Sequence, residues 1–116
     1  MNAIHTDNAP AAIGPYSQAI EVNGFVFASG QIPIDPATGN FVEGGIKEQT
    51  RQALTNAQNI LKAAGTDLYL DSMDDFAAMN EVYAEFFSQP FPARSAVAVE
   101  KLPKGALVEV EVLAAK

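Results

Sequence analysis

The sequence contains no cysteine and only one histidine, His5. Without cysteine, disulfide bonds and thiolate chemistry are excluded, and the cytoplasm is the expected location. One histidine also excludes histidine-rich metal sites and a serine–histidine–aspartate triad, so we expect no bound metal. The chain has neither a GxGxxG pattern nor a P-loop, which leaves a nucleotide cofactor without support.

Cations and long apolar runs are also scarce. Seven Lys and Arg stand against fourteen Asp and Glu, so the formal net charge is −7. An acidic chain is repelled by phosphate backbones, and nucleic acid is therefore not an expected partner. No apolar run reaches the ~18 residues of a membrane span, and residues 1–7 lack the basic start and apolar core of a signal peptide. We expect neither feature.

The residues that are present are typical of a globular protein, being 48% hydrophobic and 18% charged. The length predicts one domain over residues 1–116. Asn23-Gly24, between the apolar runs Ala19–Val22 and Phe25–Ser29, is a strong hairpin signal. Prolines and a glycine predict a loop over residues 9–18, and the composition of residues 35–40 predicts a turn.

Two helices and a final strand follow from periodicity. Apolar residues at three- and four-residue steps predict a helix from about Ile46 to Ala64, with Gly65 as its stop. A second helix is predicted to begin near Ser72 and to end before Pro90. The run Leu107–Leu113 alternates strictly, which predicts a strand with Val108, Val110 and Val112 on one face and Glu109 and Glu111 on the other.

These elements predict an α+β two-layer sandwich, in which a mostly antiparallel or mixed sheet carries two helices on one face. The other face would combine charged residues with apolar ones such as Leu113. A half-apolar exposed face indicates burial against further copies of the chain.

Arg94 is the leading candidate for ligand binding. It follows Pro92, which fixes the local backbone, and it precedes the apolar run 95–99, which predicts a strand. An Arg held in this way can bind a small carboxylate through two parallel hydrogen bonds, although a surface salt bridge is the alternative. If this strand and the last one pair with their valines inward, Arg94 and Glu109 lie on the same side, unless that face is simply solvated.

Three further residues have a functional interpretation and a structural one. Tyr16 offers its hydroxyl to a ligand or covers the core as an aromatic lid. Gly30 lets backbone N–H groups approach a ligand, or it forms a bulge. Asn80, on the second helix, points at a ligand or a neighbouring strand, or it is solvated.

Several motifs, taken together and in order, closely resemble the RidA family, the reactive enamine/imine deaminases also called YjgF-type proteins. The resemblance covers nearly the whole chain. The motifs are Ala11–Gln18, Ser29–Pro33, Asn80–Tyr83, Phe91–Ser95 and Val108–Glu111.

The resemblance implies a chorismate-mutase-like fold and a homotrimer with clefts between subunits. It also implies a cofactor-free enzyme that hydrolyses 2-aminoacrylate-type enamines and 2-imino acids such as 2-iminobutyrate, which pyridoxal-phosphate dehydratases release, to 2-keto acids and ammonia. Arg94 corresponds to the carboxylate-binding residue of the family and Glu109 to the acidic residue that handles water. Tyr16, Ser29, Gly30 and Asn80 match other positions of the family's site.

Two departures from the family pattern stand out. Many relatives have Cys at the position of Ala96, so no thiol is essential here. Relatives also carry a longer segment between Gly65 and Phe76, where this sequence keeps only Asp67–Leu70 of a central strand. Either the strand is shortened, or a piece of the chain is left out of this sequence, and we expect the latter.

Two other functions stay open. One is a non-catalytic trimer that binds 2-keto acids in a regulatory role. The other, less expected, is a ribonuclease, which the acidic charge and the lack of a histidine pair disfavour.

Overall fold

The computed structural model describes residues 1–66, 70–71, 76–91, 93 and 99–116. Within these residues, five strands form one sheet in the order β1-β2-β3-β5-β4, and all neighbouring pairs are antiparallel. The elements are β1 (Asn2–Ile4), β2 (Ala19–Val22), β3 (Phe25–Gln31), α1 (Ile46–Ala63), β4 (Leu70–Asp71), α2 (Phe76–Tyr83) and β5 (Val110–Ala115).

The hairpin predicted from Asn23-Gly24 joins β2 to β3. Val22 pairs with Phe25 across a two-residue turn. Asn23 and Gly24 have φ angles of 51° and 79°, the left-handed values that such a turn requires. The prediction is confirmed, because few residue pairs adopt this backbone as easily.

Helix α1 also lies where it was predicted, ending one residue early. At its start, the Glu48 carboxylate accepts the Gly45 N–H at 2.9 Å. At its end, Gly65 adopts a φ of 77° and the Thr66 N–H donates to the Leu61 carbonyl at 3.0 Å. These bonds satisfy backbone groups that a helix leaves unpaired at its ends.

The core lies between α1 and one face of the sheet. Leu54, Ile60 and Leu61 of α1 are fully buried against residues such as Val26 and Val110. Each such side chain contributes about 1.5–3 kcal/mol when it leaves water. Helix α2 packs on α1, so both helices lie on the same side and the α+β prediction is confirmed.

The other face of the sheet is open in the single chain. Phe25, Phe27 and Leu113 are 47%, 50% and 48% exposed, and Phe27 pairs directly with Leu113. Large apolar side chains exposed side by side are unusual for a face that meets only water.

Strand β5 starts later than predicted, but its side chains lie on the predicted faces of the sheet. It begins at Val110 rather than Leu107, because its pairing with β3 ends at the pair Gln31–Val110. Val108, Val110 and Val112 are nevertheless all buried on the helix side, as predicted.

Other predicted elements are only partly testable. The predicted strand over residues 95–99 lies outside the described residues except for Val99, which is in no strand and is 53% exposed. The predicted start of the second helix near Ser72 also lies outside them. Strand β1 was not predicted, because three residues are too short for an alternating pattern. Among the described helices, none has the length and apolar character needed to cross a membrane.

Candidate active site

A bulge in β3 forms the centre of the candidate site. Ala28 pairs with Val112 and Gln31 with Val110, so the two residues between them on β3 face a single residue of β5. Those two residues are Ser29 and Gly30. The extra residue breaks the alternation and changes which way the strand's side chains point. The structural interpretation of Gly30 as part of a bulge is therefore confirmed.

Glu109 packs directly over this bulge. A Cβ atom placed on Gly30 would lie 3.0 Å from Cδ and 3.3 Å from Cγ of Glu109, and it would overlap Oε1. Only a residue without a side chain leaves this space to the carboxyl group. Because Glu109 alternates with the buried Val108 and Val110, it belongs to the sheet face that the helices leave open. Glu109 is half-buried there.

Ser29 fastens the bulge to the preceding loop. Its hydroxyl donates to the Ser17 carbonyl at 2.7 Å, and its N–H donates to the Gln18 carbonyl at 2.9 Å. The buried Gln18 amide in turn accepts the Thr6 N–H at 2.7 Å and donates to the Pro10 carbonyl at 2.8 Å. These bonds fix the loop that carries Tyr16 relative to the strand that carries Gly30.

Tyr16 is a surface residue of this loop. Its ring lies 3.8 Å from the position of a Cβ on Gly14, and its hydroxyl oxygen accepts the Ile13 N–H at 3.3 Å. The hydroxyl proton is thus left to donate to a ligand. At 53% exposure Tyr16 is not a lid on the core, so that interpretation was wrong.

A cavity of about 510 Å³ opens beside these residues. Tyr16 and Gly30 both line it, whereas Ser29 and Glu109 do not. The complete lining among the described residues is Pro10, Ala11, Ile13, Tyr16, Gln18, Gly30, Gln31, Ile32, Ile34, Pro36, Gly39, Pro103 and Lys104. The volume is ample for a small carboxylic acid.

Arg94 lies outside the described residues, and Asn80 is not part of this group. Asn80 is half-buried on α2, in the helical layer, whereas Glu109 belongs to the opposite face of the sheet. Next to Asn80, the Glu81 carboxylate pairs with the Lys47 ammonium of α1 at 2.7 Å. The hydrogen bond and charge of Lys47 lower the pKa of Glu81, and those of Glu81 raise the pKa of Lys47.

The sequence interpretation did not single out Gln18 or Lys104, two polar residues that line the cavity. Gln18 is 3% exposed and holds the loop through its amide, but a single Gln beside a loop gives no signal of burial. Lys104 lines the cavity from a turn just before the last strand. Its position between Pro103 and Gly105 was the available signal, since this composition favours a tight turn.

A family model described as endoribonuclease L-PSP matches residues 6–116. The chain belongs to this family. The resemblance to RidA proteins, drawn from the motifs, is confirmed by the same match and by the names of relatives.

Relatives of known name cover nearly all of the chain. A RutC family protein of Pyrococcus horikoshii is 56% identical over 121 positions, which span 97% of this chain and 96% of the relative. A 2-iminobutanoate/2-iminopropanoate deaminase of Capra hircus is 50% identical over 96% of this chain and 87% of its own length. The crystal structure of Escherichia coli TdcF with bound serine superposes with a TM-score of 0.91 at 38% identity, covering 100% of this chain and 99% of that one. The chain therefore has the chorismate-mutase-like fold of this family.

The alignment with the Pyrococcus protein also measures a length difference. The 121 aligned positions include 97% of this 116-residue chain, or about 113 residues, so about eight positions have no counterpart here. In the structure, β4 has two residues and is the outermost strand of the described sheet. A strand of this length contributes few ladder hydrogen bonds.

Proposed function

We propose that this chain is a hydrolytic deaminase. Its substrates would be 2-iminobutanoate and 2-iminopropanoate, with enamine tautomers such as 2-aminoacrylate, and its products 2-keto acids and ammonia. The placement of the Glu109 carboxyl group against the Gly30 bulge, beside the cavity that Tyr16 lines, carries the proposal. The deaminase names of mammalian relatives about 50% identical over 96% of the chain support it.

The reaction needs little from the protein beyond placement and proton transfer. Water adds to the electrophilic imine carbon, and Glu109 takes one proton from that water as the C–O bond forms. That proton passes to the imine nitrogen and gives a carbinolamine with an –NH2 group. Glu109 then moves the second water proton from the hydroxyl oxygen to this nitrogen, the C–N bond breaks, and ammonia leaves as the C=O bond forms. One water is consumed for each ammonia, and the reaction involves no oxidation or reduction. General acid–base assistance of this kind contributes about 100- to 10,000-fold.

The other site residues have binding roles in this proposal. Tyr16 donates its hydroxyl proton to the substrate, and Gly30, which has no side chain, lets the substrate approach the backbone of the bulge. Ser29 holds the bulge in place, because its N–H and hydroxyl are bonded to the preceding loop. Arg94 binds the substrate carboxylate through two parallel hydrogen bonds, which orients the imine carbon for attack. The bound serine in the TdcF structure supports an amino-acid-sized ligand for this fold.

A homotrimer is the assembly we propose. Asn80 and Glu109 lie on opposite layers of one chain, so Asn80 is best placed to serve the site of a neighbouring copy. The open apolar face at Phe25, Phe27 and Leu113 supplies a surface for such a contact. Burial of this face would also exclude water from around Glu109, which strengthens its electrostatic interactions with a charged substrate.

The test is an assay on freshly generated 2-iminobutyrate, made from threonine by a threonine dehydratase. We expect wild type to release ammonia faster than buffer, and Glu109→Gln to lose about 100-fold or more of that rate. Glu43→Gln is the matched control, because it removes the same charge from an exposed residue that does not line the cavity. Glu109→Gln should still bind 2-ketobutyrate.

Two outcomes would replace the proposal. If wild type binds 2-ketobutyrate but does not accelerate imine loss, the chain is a non-catalytic 2-keto acid-binding protein. The family description also names an endoribonuclease. Cleavage of RNA that persists in Glu109→Gln, with strongly salt-dependent RNA affinity, would favour that activity instead.

A further inference from the structure

Lys104 is the only cationic residue among the described residues that line the 510 Å³ cavity. Most of the other lining side chains are apolar, such as Ile13, Ile32 and Ile34. Because apolar walls screen charge poorly, the positive charge of Lys104 adds to the potential that an anion meets at the cavity. An anion that enters the cavity is therefore attracted toward Lys104.

The backbone holds Lys104 in a specific position. Its φ and ψ angles are 55° and 22°, a left-handed conformation that is unfavourable for a residue with a Cβ. The turn is closed by a hydrogen bond from the Ala106 N–H to the Pro103 carbonyl at 3.1 Å. The Leu107 N–H donates to Gln49 Oε1 of α1 at 2.9 Å, which anchors the turn to the helix. Strained residues that their surroundings keep in place are concentrated at ligand sites.

No carboxylate among the described residues forms an ion pair with the Lys104 ammonium. Three other cations are neutralised by carboxylates within 4 Å, in the pairs Lys47–Glu81, Arg51–Glu85 and Lys116–Glu21. Lys104 forms no such pair with any described residue. The Lys104 ammonium is therefore available to an anionic ligand.

We propose that Lys104 is a positioning residue for the carboxylate of the 2-imino and 2-keto acids in this cavity. The inference rests on the proposed function, which supplies the anionic ligand. Lys104 draws the carboxylate into the cavity beside Tyr16 and Gly30, in addition to the binding by Arg94 in the proposed function. It takes no part in proton transfer, so its loss weakens binding and leaves the chemical step unchanged.

The experiment compares Lys104→Asn with Lys101→Asn. Asn adopts the left-handed conformation more readily than most residues, so this variant removes the charge without adding strain to the turn. Lys101 is three residues away and lines a separate crevice with Val99 and Glu100, so its variant changes the net charge equally. The dissociation constant of 2-ketobutyrate is measured by calorimetry, at low ionic strength and at about 0.5 M salt.

We expect Lys104→Asn to bind 2-ketobutyrate about three- to tenfold more weakly than wild type at low salt. The difference should shrink at high salt, Lys101→Asn should match wild type, and Lys104→Arg should restore most of the affinity. In the imine assay, KM should rise in Lys104→Asn with kcat unchanged. The thermal unfolding midpoint of each variant should equal or exceed that of wild type, which would separate weak binding from poor folding.

The possible failures are distinguishable. If wild type itself binds no 2-keto acid, the proposed function is wrong. If wild type binds and both Asn variants bind equally well, Lys104 has no positioning role. A lower kcat at unchanged KM in Lys104→Asn would also overturn the inference, because it would place Lys104 in the chemical step.

Discussion

The Glu109 carboxyl group occupies the space that a side chain on Gly30 would fill. We therefore predict that Gly30→Ala displaces Glu109 from its position over the bulge. The displaced atoms are the end of a flexible side chain, so the free energy of unfolding should change by about 1 kcal/mol or less. The deaminase rate should fall about 100-fold, since misplacement of a reacting group by 1 Å has that effect.

The check for Gly30→Ala combines the imine assay with urea denaturation. Gly45→Ala is a suitable control, because a Cβ at Gly45 meets nothing within 4 Å. Wild-type activity in Gly30→Ala would show that the position of Glu109 does not matter to the reaction. A large loss of stability would show that the bulge, and not the carboxyl group, is what the substitution disturbs.

A second prediction concerns the bond between the Ser29 hydroxyl and the Ser17 carbonyl at 2.7 Å. Ser29→Ala should lower the free energy of unfolding by about 1 kcal/mol, the usual net value of a hydrogen bond. It should also raise KM, because the loop that carries Tyr16 is less firmly attached. Urea denaturation and steady-state kinetics measure the two effects. Ser17→Ala keeps the acceptor carbonyl, so an equal loss in that variant would contradict this account.

The Lys47–Glu81 pair makes a pH-dependent contribution to stability. Because Lys47 lowers the pKa of Glu81, this contribution is complete above the usual pKa of a Glu and disappears as the pH falls through the lowered value. Because Glu81 raises the pKa of Lys47, the contribution disappears at the alkaline end as the pH rises through that raised value. Both side chains are exposed, so the effect is small.

The measurement for this pair is the unfolding free energy of wild type and Glu81→Gln across the acid range. Glu81→Gln should be less stable than wild type at neutral pH, and the difference should close as the pH falls through the lowered pKa of Glu81. Glu43→Gln is the control, since exposed Glu43 has no ion-pair partner among the described residues. A difference between wild type and Glu81→Gln that is independent of pH would rule out the ion pair as its cause.

A fourth prediction tests the open face of the sheet. Phe27→Glu puts a charge next to Leu113, where we propose that copies of the chain meet, and burying an unpaired charge is costly. Analytical ultracentrifugation should show a trimer for wild type and smaller species for Phe27→Glu. Ala63→Glu, at the exposed end of α1, should remain trimeric. A monomeric wild type would remove the basis for a shared site.

Local sequence signals predicted much of the fold. The Asn23-Gly24 turn and the α1 helix depend on residues close in sequence, so their patterns were sufficient. The start of β5 was placed too early because the pairing limit depends on Gln31, which is distant in the chain. Alternation still gave the correct face for Val108, because side-chain direction is a local property.

The sequence predicted some residues of the candidate site but not their arrangement. Motif resemblance pointed to Tyr16, Gly30 and Glu109, and Gly30 and Glu109 are in contact in the structure. It did not predict that Glu109 needs the absence of a side chain at Gly30, because that requirement arises only when β3 and β5 pair. The contribution of Lys104 to the cavity was not predicted for the same reason. Residues 10–18, 30–39 and 103–104 meet there only after folding.

The bulge makes the residue count of β3 as important as its composition. Val26 and Ala28 point toward α1, and the additional residue lets Gln31 do so as well. Deleting one residue between Ala28 and Gln31 would restore regular pleating and rotate the rest of the strand, so that Gln31 would face outward. Homologous sequences should therefore keep the length of this stretch, and a one-residue indel there would inactivate the protein even if every remaining residue were unchanged.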